Sequence, residues 1–456
     1  MSIRLARLLL DLAWLLAMPA VLLILLGRLL EGKSRRGWGQ RVGAMPRVGS
    51  GPGPCIWVHA VSVGEVNLAA TLIRELRGLR PDARFVITTI TDTGQARARE
   101  LFAEQATVAY LPLDFSICLS IAFSRVRPDL LVLVELELWP GLVLTARAWG
   151  VPVVVLNGRM TQRAFGRYRI ARPLIRRLLV LVDRVAAQTQ PIAERFLRLG
   201  LPADRLRVTG TAKFDAALAP VPPAGPDLLA GVGLSGGPDE PLWLCGQTGE
   251  VEGIGEERVC LLAYARLREQ FPRLRLVLAP RQIQRADAVH RIIEQSGFAC
   301  QRRSQYPAGG APAAATGDGQ ANRITVGLLD TLGELRSLYP CATVAFVGRS
   351  LVRLGGSDVL EAAALTAVVT GPHTENFAEP AGLLRDAGAM LQLDASLHQE
   401  PESAVVDRLV EALGGLLRDK GHRADLLSGA AALLELHRGS ARRQAELAVE
   451  LLRTDA

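Results

Sequence analysis

The sequence is poor in the arrangements of cysteine and histidine that hold metal sites or disulfide frameworks together. Its six cysteines are scattered, with no CxxC pair, and its six histidines form no HxxxH or HxH pair. These spacings argue against a zinc site and a disulfide framework, and they suit a reducing compartment. Any metal dependence would have to come from carboxylates, and we predict no metal site and no cofactor.

Aromatic residues are also scarce. They make up 5% of the chain, and no basic stretch is interleaved with side chains that could stack on bases. The formal net charge is +8, which favours an anionic partner: phospholipid headgroups, an anionic substrate or nucleic acid. Because base-stacking residues are missing, nucleic acid is the weakest of the three, and we predict no nucleic-acid partner.

The chain does have one long apolar segment, at its front. Residues 8–30 are broken by Asp11, Gly27 and Arg28, and the uninterrupted run over 12–26 is 15 residues, against about 20 for an upright membrane span. No clear small-x-small cleavage site follows, which disfavours a signal peptide. A single spanning helix with the bulk of the chain in the cytoplasm and a helix lying in the membrane interface both stay open. We predict a membrane anchor over residues 1–32.

After the anchor, short apolar runs rich in β-branched residues alternate with segments of helical period. Residues 56–61 read as a strand, and residues 65–79 as a helix with its leucines on one face. Repeated βα units with continuous apolar strands imply an α/β fold with parallel sheets covered on both faces. The further predicted strands are 84–89, 108–111, 130–134, 152–156, 184–187, 207–209, 242–245, 274–279, 323–326, 343–347, 367–370 and 389–393.

A proline-rich linker over residues 219–241 divides the chain into two such halves. It separates an N-terminal domain over 33–218 from a C-terminal domain over 242–456, which includes the terminal helices. Residues 231–236 match GxGxxG inside the linker, but a dinucleotide fingerprint needs a preceding strand and a following helix, so we discard it. Residues 307–321 are predicted to form a flexible surface loop.

Ser62 and Glu65 join the first predicted strand to the first helix, where ligands bind in such sheets. The Ser-x-x-Glu spacing is typical of a capping box, in which Glu65 reaches back to the helix start. This position also suits a functional role for Glu65, because the helix dipole would keep its carboxylate ionised and Gly64 leaves room for a substrate. Both interpretations stay open.

Two acidic residues and a rare lysine follow other strands of the first half. Glu135 and Glu137 end an apolar run and should alternate onto one face of the strand; carboxylates there are costly unless paired or used, and a structural ion pair is an equal alternative. Lys213 is one of three lysines, against fifty arginines, and follows a strand just before the linker. Its compact ammonium could point into an interdomain cleft, although chance explains its position equally well.

A glycine-containing loop stands out in the second half. Residues 349–361 follow a predicted strand, pass through Gly355 and Gly356, and open a helix at Asp358. Such a loop offers free backbone N–H groups to a phosphate. Asp358 and Glu361 also have capping-box spacing, which leaves a purely structural role open.

Taken together, these segments resemble the Kdo (3-deoxy-D-manno-octulosonic acid) transferases, a lipid A-specific family with the GT-B fold. The matching stretches occur in order: 56–65, 134–140, 156–160, 210–215, 279–281, 330–335, 344–348 and 371–377. The resemblance implies two Rossmann-like parallel-sheet domains facing a cleft, preceded by an N-terminal membrane-anchor helix.

The resemblance also implies an activity: inverting transfer of Kdo from CMP-Kdo to a lipid A precursor, at the inner face of the plasma membrane. Glu65 is then the implied general base, and Glu135 and Lys213 stabilise the transition state. The implied CMP-binding residues are Pro280, Arg281, Leu332, Gly333, Glu334, Asp358, Val359, Leu360 and Glu361. Five arginines could hold the anionic acceptor or the inner-membrane phospholipid, or form a solvated helix face: Arg167, Arg169, Arg172, Arg176 and Arg177.

Several residues depart from the family pattern, and all lie in the donor half. Ser357 and Asp358 replace a His-Asn pair, Ala362 replaces a proline, and Gln282 replaces a histidine. The loop over 245–248 is likewise an altered form of a Ser-Thr loop. A GT-B transferase that uses another activated sugar, or a non-catalytic membrane-bound relative that binds sugar nucleotide or lipid, therefore stays open.

Overall fold

The computed structural model describes residues 2–30, 37–49, 51–234, 240–251, 253–306, 324–394 and 400–452. The predicted loop over 307–321 lies outside these residues. The chain divides into two compact units: unit 1 is residues 1–216 with 437–456, and unit 2 is residues 217–436. Each unit is built around one seven-stranded sheet.

The sheet of unit 1 is parallel throughout, in the order β3-β2-β1-β4-β5-β6-β7. Its first six strands follow the Rossmann order, which places the strand-order reversal between β1 and β4. The central strands β1 and β4 are buried along their whole length, as expected for apolar strands covered on both faces. The strands are β1 Cys55–His59, β2 Arg84–Thr89, β3 Thr107–Tyr110, β4 Leu130–Val134, β5 Val153–Gly158, β6 Arg184–Ala187 and β7 Leu206–Val208.

Helices of unit 1 follow these strands and bury their apolar faces on the sheet. In α3 the buried face includes Leu68, Leu72, Ile73 and Leu76, which confirms the predicted helix. The helix begins at Val63, two residues earlier than predicted. The helices up to the linker are α1 Ile3–Leu30, α2 Trp38–Arg41, α3 Val63–Leu79, α4 Asp92–Phe102, α5 Ser116–Val126, α6 Pro140–Ala148, α7 Gln162–Ile170, α8 Arg172–Leu179, α9 Gln190–Leu199 and α10 Ala212–Ala217.

The front half of α1 packs against α5 and α6. Asp11 Oδ1 accepts a hydrogen bond from the Ser116 backbone N–H at 2.9 Å, and Arg7 Nη2 donates to Ser120 Oγ at 2.7 Å. Asp11, which interrupts the apolar run, and Arg7, just ahead of it, thus dock the helix on unit 1. None of the described helices combines the length and the apolar character that a membrane crossing needs.

The main sheet of unit 2 is also parallel, in the order β12-β13-β11-β8-β14-β15-β16. A separate hairpin, β9–β10, and the edge strand β12 were not predicted. The strands are β8 Leu242–Thr248, β9 Glu250–Val251, β10 Ile254–Gly255, β11 Arg275–Pro280, β12 Ala299–Arg302, β13 Thr325–Leu328, β14 Val344–Val347, β15 Ala367–Thr370 and β16 Leu391–Gln392.

The predicted linker is in part a piece of unit 2. The Gly233 carbonyl accepts from Arg275 Nη2 at 2.9 Å, and the Ala230 carbonyl accepts from the Gln301 side chain, so this segment packs on the second sheet. The helices of unit 2 are α11 Pro226–Gly231, α12 Glu256–Gln270, α13 Ala286–Gln295, α14 Leu335–Leu338, α15 Leu360–Ala363, α16 Ala378–Asp386, α17 Glu402–Arg418 and α18 Lys420–His437.

The last helix, α19 Ser440–Val449, belongs to unit 1. The prediction that all of residues 242–456 form the second domain is therefore wrong. Small side chains one turn apart, Ala441, Ala445 and Ala448, are buried in the same core as the inner face of α3. The Asp215 carboxylate accepts from the Gly439 and Ala441 backbone N–H groups, both at 2.7 Å, so it fixes the start of this helix beneath α10.

Candidate active site

Three predicted site residues follow strands at the carboxyl edge of the unit 1 sheet. Glu65 comes after β1 and Glu135 directly after β4, and these strands are neighbours. Lys213 Nζ lies 3.5 Å from Glu135 Oε1, and the Arg159 guanidinium lies 4.0 Å from Glu135 Oε2. The structure therefore brings Glu135 and Lys213 together as an ion pair, with a second cation beside them.

Glu65 sits in the first turn of α3, partly buried. Its Oε2 accepts from the Val61 backbone N–H at 2.7 Å, and the Ser62 hydroxyl donates to its Oε1 at 3.0 Å. This is not the predicted capping box, because Glu65 reaches the residue before Ser62 and the Ser62 side chain caps no helical N–H. The carboxylate is held in place by two donors rather than by the usual reciprocal pair.

Burial is the main influence on the ionisation of Glu65. Burial raises the pKa of Glu65 to about 7, against the opposing effect of the Val61 N–H, and the charges of Glu137 and Glu135 raise it further. Repulsion between neighbouring carboxylates favours the neutral form. A carboxyl group with a pKa near neutrality can accept and release a proton at physiological pH.

Glu135 and Glu137 do not share a face of β4, because that strand ends at Val134. Glu135 has a φ of +62°, a conformation that side chains rarely adopt and that is typical of functional positions. This turns the chain out of the sheet at the point where Lys213 meets the carboxylate. Glu137 instead accepts from the Trp139 indole N–H at 2.9 Å.

Lys213 is positioned by residues that the sequence analysis gave no role. Asn157 Oδ1 accepts from the Ala212 backbone N–H at 3.0 Å, at the start of the helix that carries Lys213. The Asn157 N–H in turn donates to Gln444 of α19 at 2.7 Å, and Gln188 donates to the Asn157 carbonyl at 3.0 Å. The one sequence signal for Asn157 and Arg159 was their place in the stretch 156–160 that matches the family.

In unit 2, the loop after β14 does not offer its first backbone N–H groups to a phosphate. Glu256, fully buried at the start of α12, accepts from the N–H groups of Gly249, Arg349, Ser350 and Leu351 at 2.5 to 2.8 Å. A carboxylate of the chain itself thus fills this part of the predicted anion site. The prediction of free N–H groups is wrong for residues 349–351, since Glu256 uses them to hold the loops after β8 and β14 together.

Pro280 and Arg281 lie where β11 ends, next to β8. The Arg281 N–H donates to the Thr248 carbonyl at 3.0 Å, and its Nη1 lies 3.4 Å from Gln247 Oε1. Burial, followed by the nearby charge of Arg349, lowers the pKa of Arg281, whereas the carboxylates of Asp358 and Glu361 act in the opposite sense. Arg281 therefore lies within electrostatic reach of Asp358 and Glu361.

The turn over residues 358–361 has a different start from the predicted one. Helix α15 begins at Leu360, and Asp358 Oδ1 accepts from the Leu360 N–H at 3.1 Å. Glu361 does not reach back to Asp358; it pairs with Arg336 at 3.1 Å. The side chains of Val359 and Leu360 are buried, so any ligand contact from these two would come from the backbone.

Three further predicted CMP-binding residues directly precede α14: Leu332, Gly333 and Glu334. The Leu332 side chain is exposed, and Glu334 pairs with Arg303 at 2.9 Å. The carboxylate of Glu334 accepts hydrogen bonds from Arg303 and from the Thr331 hydroxyl. Within the described residues it makes no hydrogen bond with Arg281. Within the described ranges, no group of three or more His, Cys, Asp or Glu side chains could hold a metal ion.

Comparison with known proteins places the chain in a family. A family model described as 3-deoxy-D-manno-octulosonic-acid transferase (kdotransferase) matches residues 36–216. The chain is 34% identical to a 3-deoxy-D-manno-octulosonic acid transferase of Bordetella pertussis, over 85% of each chain. It is 30% identical to the protein of the same description from Haemophilus influenzae, over 90% of each chain.

Solved structures show the same fold at low identity. UDP-GlcNAc 2-epimerase from Neisseria meningitidis, solved with UDP-GlcNAc, has a TM-score of 0.51 and 12% identity, over 87% of this chain and 99% of its own. A glycosyltransferase from Rickettsia africae has a TM-score of 0.53 and 9% identity, over 89% and 100%. These likenesses show the fold alone, two parallel-sheet α/β domains, and they confirm that part of the sequence prediction.

Proposed function

The chain belongs to the Kdo transferase family and is a glycosyltransferase, and from this premise we propose that it moves Kdo from CMP-Kdo to a lipid A precursor with inversion. The observation that carries the proposal is the carboxyl edge of the unit 1 sheet. There, a glutamate with a pKa near 7 stands beside a second carboxylate that is paired with Lys213. This combination of a proton acceptor and a fixed charge pair suits attack by a sugar hydroxyl.

Glu65 is the proposed general base. As the acceptor oxygen bonds to the anomeric carbon of Kdo, its proton passes to the Glu65 carboxylate, and the bond from that carbon to the CMP phosphate breaks on the opposite face. Glu65 has to be ionised before the reaction, so its raised pKa makes it a stronger base than an ordinary carboxylate. The hydrogen bonds from Val61 and Ser62 hold it in one orientation.

Glu135, Lys213 and Arg159 form the proposed charge array for the transition state. Breaking the sugar–phosphate bond builds positive charge on the sugar ring, and negative charge moves to the departing phosphate. A carboxylate can stabilise the first and an ammonium the second, provided that both are fixed before the reaction. The contact of 3.5 Å between Lys213 and Glu135 supports such a fixed pair.

Arg281 is the proposed contact for the CMP phosphate in unit 2. Its side chain is exposed, so the guanidinium is accessible to an anion, which it can bind through two N–H groups. The hydroxyl of Ser357, next to Asp358, is buried without a hydrogen-bond partner among the described residues. A buried donor of this kind is costly unless a ligand or water satisfies it, which supports a ligand at this turn.

The acceptor side is proposed to lie against the inner membrane, with the catalytic units in the cytoplasm. Along one side of α1, Leu8, Leu12 and Leu16 are 64%, 51% and 76% exposed. Five arginines of α7 and α8 are also exposed, and exposed Ile170 and Leu174 lie among them: Arg167, Arg169, Arg172, Arg176 and Arg177. An apolar face beside cations suits anionic phospholipid and the phosphates of a lipid A precursor.

Incubating the purified full-length protein with CMP-Kdo and tetraacylated lipid A precursor tests the proposal. Mass spectrometry of the lipid should show the mass added by Kdo, and CMP should appear in equal amount. Turnover with another activated sugar and none with CMP-Kdo would favour the alternative raised by Asp358, which puts a negative charge where the family has an asparagine. Ligand binding without any turnover would favour a non-catalytic binding protein.

A further inference from the structure

Unit 2 contains an open cavity lined by residues that take no part in the chemistry proposed above. Its volume is about 600 Å³, and it is lined by residues of 353–355 and 372–376. These two loops follow β14 and β15, which are neighbours in the parallel sheet. The cavity therefore lies at the carboxyl edge, where open α/β sheets bind ligands, and its size is within the usual range for small-molecule sites.

The walls of the cavity are fixed to each other. Asn376 Nδ2 donates to the Leu354 carbonyl at 2.9 Å, and the backbone N–H of Asn376 donates to the Gly355 carbonyl at 2.9 Å. Gly355 has a φ of +77°, and a Cβ built on it would lie 2.4 Å from the Asn376 side chain. Any other residue at 355 would push the loops apart, so the cavity depends on this close approach.

The polar groups of the cavity are one cation, Arg353, and the His373–Glu375 pair, and the charge of Arg353 acts on Glu375. The Arg353 guanidinium is exposed and makes no hydrogen bond within the described part of the chain. His373 Nδ1 and Glu375 Oε1 lie 3.1 Å apart and fix each other. An arginine in this position suits a carboxylate or phosphate, which it can bind through two N–H groups, and a His–Glu pair suits sugar hydroxyls.

The cavity is connected to the proposed phosphate contact. Arg349 Nη2 donates to the Leu354 carbonyl, on the cavity wall, at 3.3 Å, and Arg349 is also a charged neighbour of Arg281. Along the chain, the Asp358 turn begins three residues after Gly355. A ligand with its phosphate at Arg281 could therefore extend into the cavity.

We propose that this cavity is the sugar subsite of the donor, with Arg353 binding the carboxylate of a sugar acid and the His373–Glu375 pair binding its hydroxyls. This inference rests on the proposed function and deepens it, since it explains how unit 2 selects an acidic sugar.

The test compares two ligands that differ only in the sugar acid. Initial rates with CMP-Kdo give the donor KM, and inhibition by CMP gives the affinity for the nucleotide alone. For Arg353→Ala we expect the donor KM to rise about tenfold or more, while the CMP inhibition constant stays within about twofold, because one charge-assisted contact to the sugar is lost. The donor KM of Arg353→Lys should lie between those of the wild type and Arg353→Ala, because lysine keeps the charge but not the paired N–H groups.

Arg408→Ala is the matched control, because Arg408 is an exposed arginine of unit 2 on α17, and it should leave both constants unchanged. If Arg353→Ala leaves the donor KM at the wild-type value, or raises both constants by the same factor, the sugar subsite is elsewhere. If the wild-type protein makes no product from CMP-Kdo, the proposed function fails and this inference fails with it. The two failures are therefore distinguishable.

Discussion

Several residues near the proposed chemistry have a backbone conformation that their type does not favour. Glu135, Asn157, Gln247 and Arg349 have φ values of +62°, +54°, +59° and +61°. Each lies at or next to the carboxyl end of a strand, and strain of about 1–3 kcal/mol per residue is expected for such positions. The predicted ends of β4 and β14 match the structure, but this conformation could not be predicted, because glutamate, glutamine and arginine rarely adopt it.

Glu65 should destabilise the fold at alkaline pH. Its pKa is about 7 in the folded protein, against 4.5 as the ordinary value, so the folded state holds this proton more tightly than the unfolded state. Ionisation therefore costs stability: the cost is absent below about pH 4.5 and complete above about pH 7. We expect Glu65→Gln to be more stable than the wild type by roughly 2 kcal/mol at pH 8, with no difference at pH 4.

Urea unfolding at a series of pH values measures this difference. Glu104→Gln is the control, because Glu104 is exposed in the turn after α4, and it should stay within about 0.5 kcal/mol of the wild type at every pH. A Glu65→Gln variant that is less stable than the wild type at pH 8 would mean that the carboxylate is a net stabiliser of its own helix.

At the scale of elements, the bounds of the buried strands were easier to predict than the edge strand β12 or the docking of α1. The predicted bounds of β2, β4, β6 and β15 match the structure, because buried parallel strands are continuous apolar runs. β12 was missed, since an edge strand of sequence Ala-Cys-Gln-Arg is only partly buried and carries no such run. The docking of α1 was also unpredictable, because Arg7 and Asp11 find their partners more than a hundred residues away.

The exposed leucines of α1 should carry membrane attachment. Leu12 and Leu16 point away from the protein, while Asp11 is used in docking. We expect the double change Leu12→Asp and Leu16→Asp to abolish flotation with liposomes of phosphatidylglycerol and phosphatidylethanolamine, because charges in the apolar layer are costly. Leu436→Asp, on an equally exposed leucine of α18, should float as the wild type does; flotation of the double variant would show that α1 is not the attachment.

At the scale of the whole molecule, the sequence predicted two α/β halves correctly but not the path of the chain. The return of residues 437–456 to unit 1 depends on Asp215, Asn157 and Gln444, which meet across more than two hundred residues. The sequence of an amphipathic helix does not indicate which sheet the helix will cover. The packing of α19 on unit 1 could therefore not be predicted from the sequence. The same holds for Glu256, whose burial beneath two loops has no sequence signal.

These long-range contacts connect the fold to the proposed chemistry. Gln444 of α19 holds Asn157, Asn157 holds the start of α10, and that helix carries Lys213 to Glu135. The end of the chain thus helps to position a charge that lies beside the proposed base. In physical terms the site is built by pieces far apart in sequence, which is why a motif could suggest its residues but not its geometry.

The pH dependence of transfer is the most direct test of Glu65 as the base. At saturating CMP-Kdo and lipid A precursor, the wild-type rate should rise with pH and level off above about pH 7, as the carboxylate loses its proton. Glu65→Gln should keep the donor KM and lose roughly 10²–10⁴ of the rate, with no rise near neutrality. A Glu65→Gln variant that keeps the wild-type rate and pH profile would contradict the account.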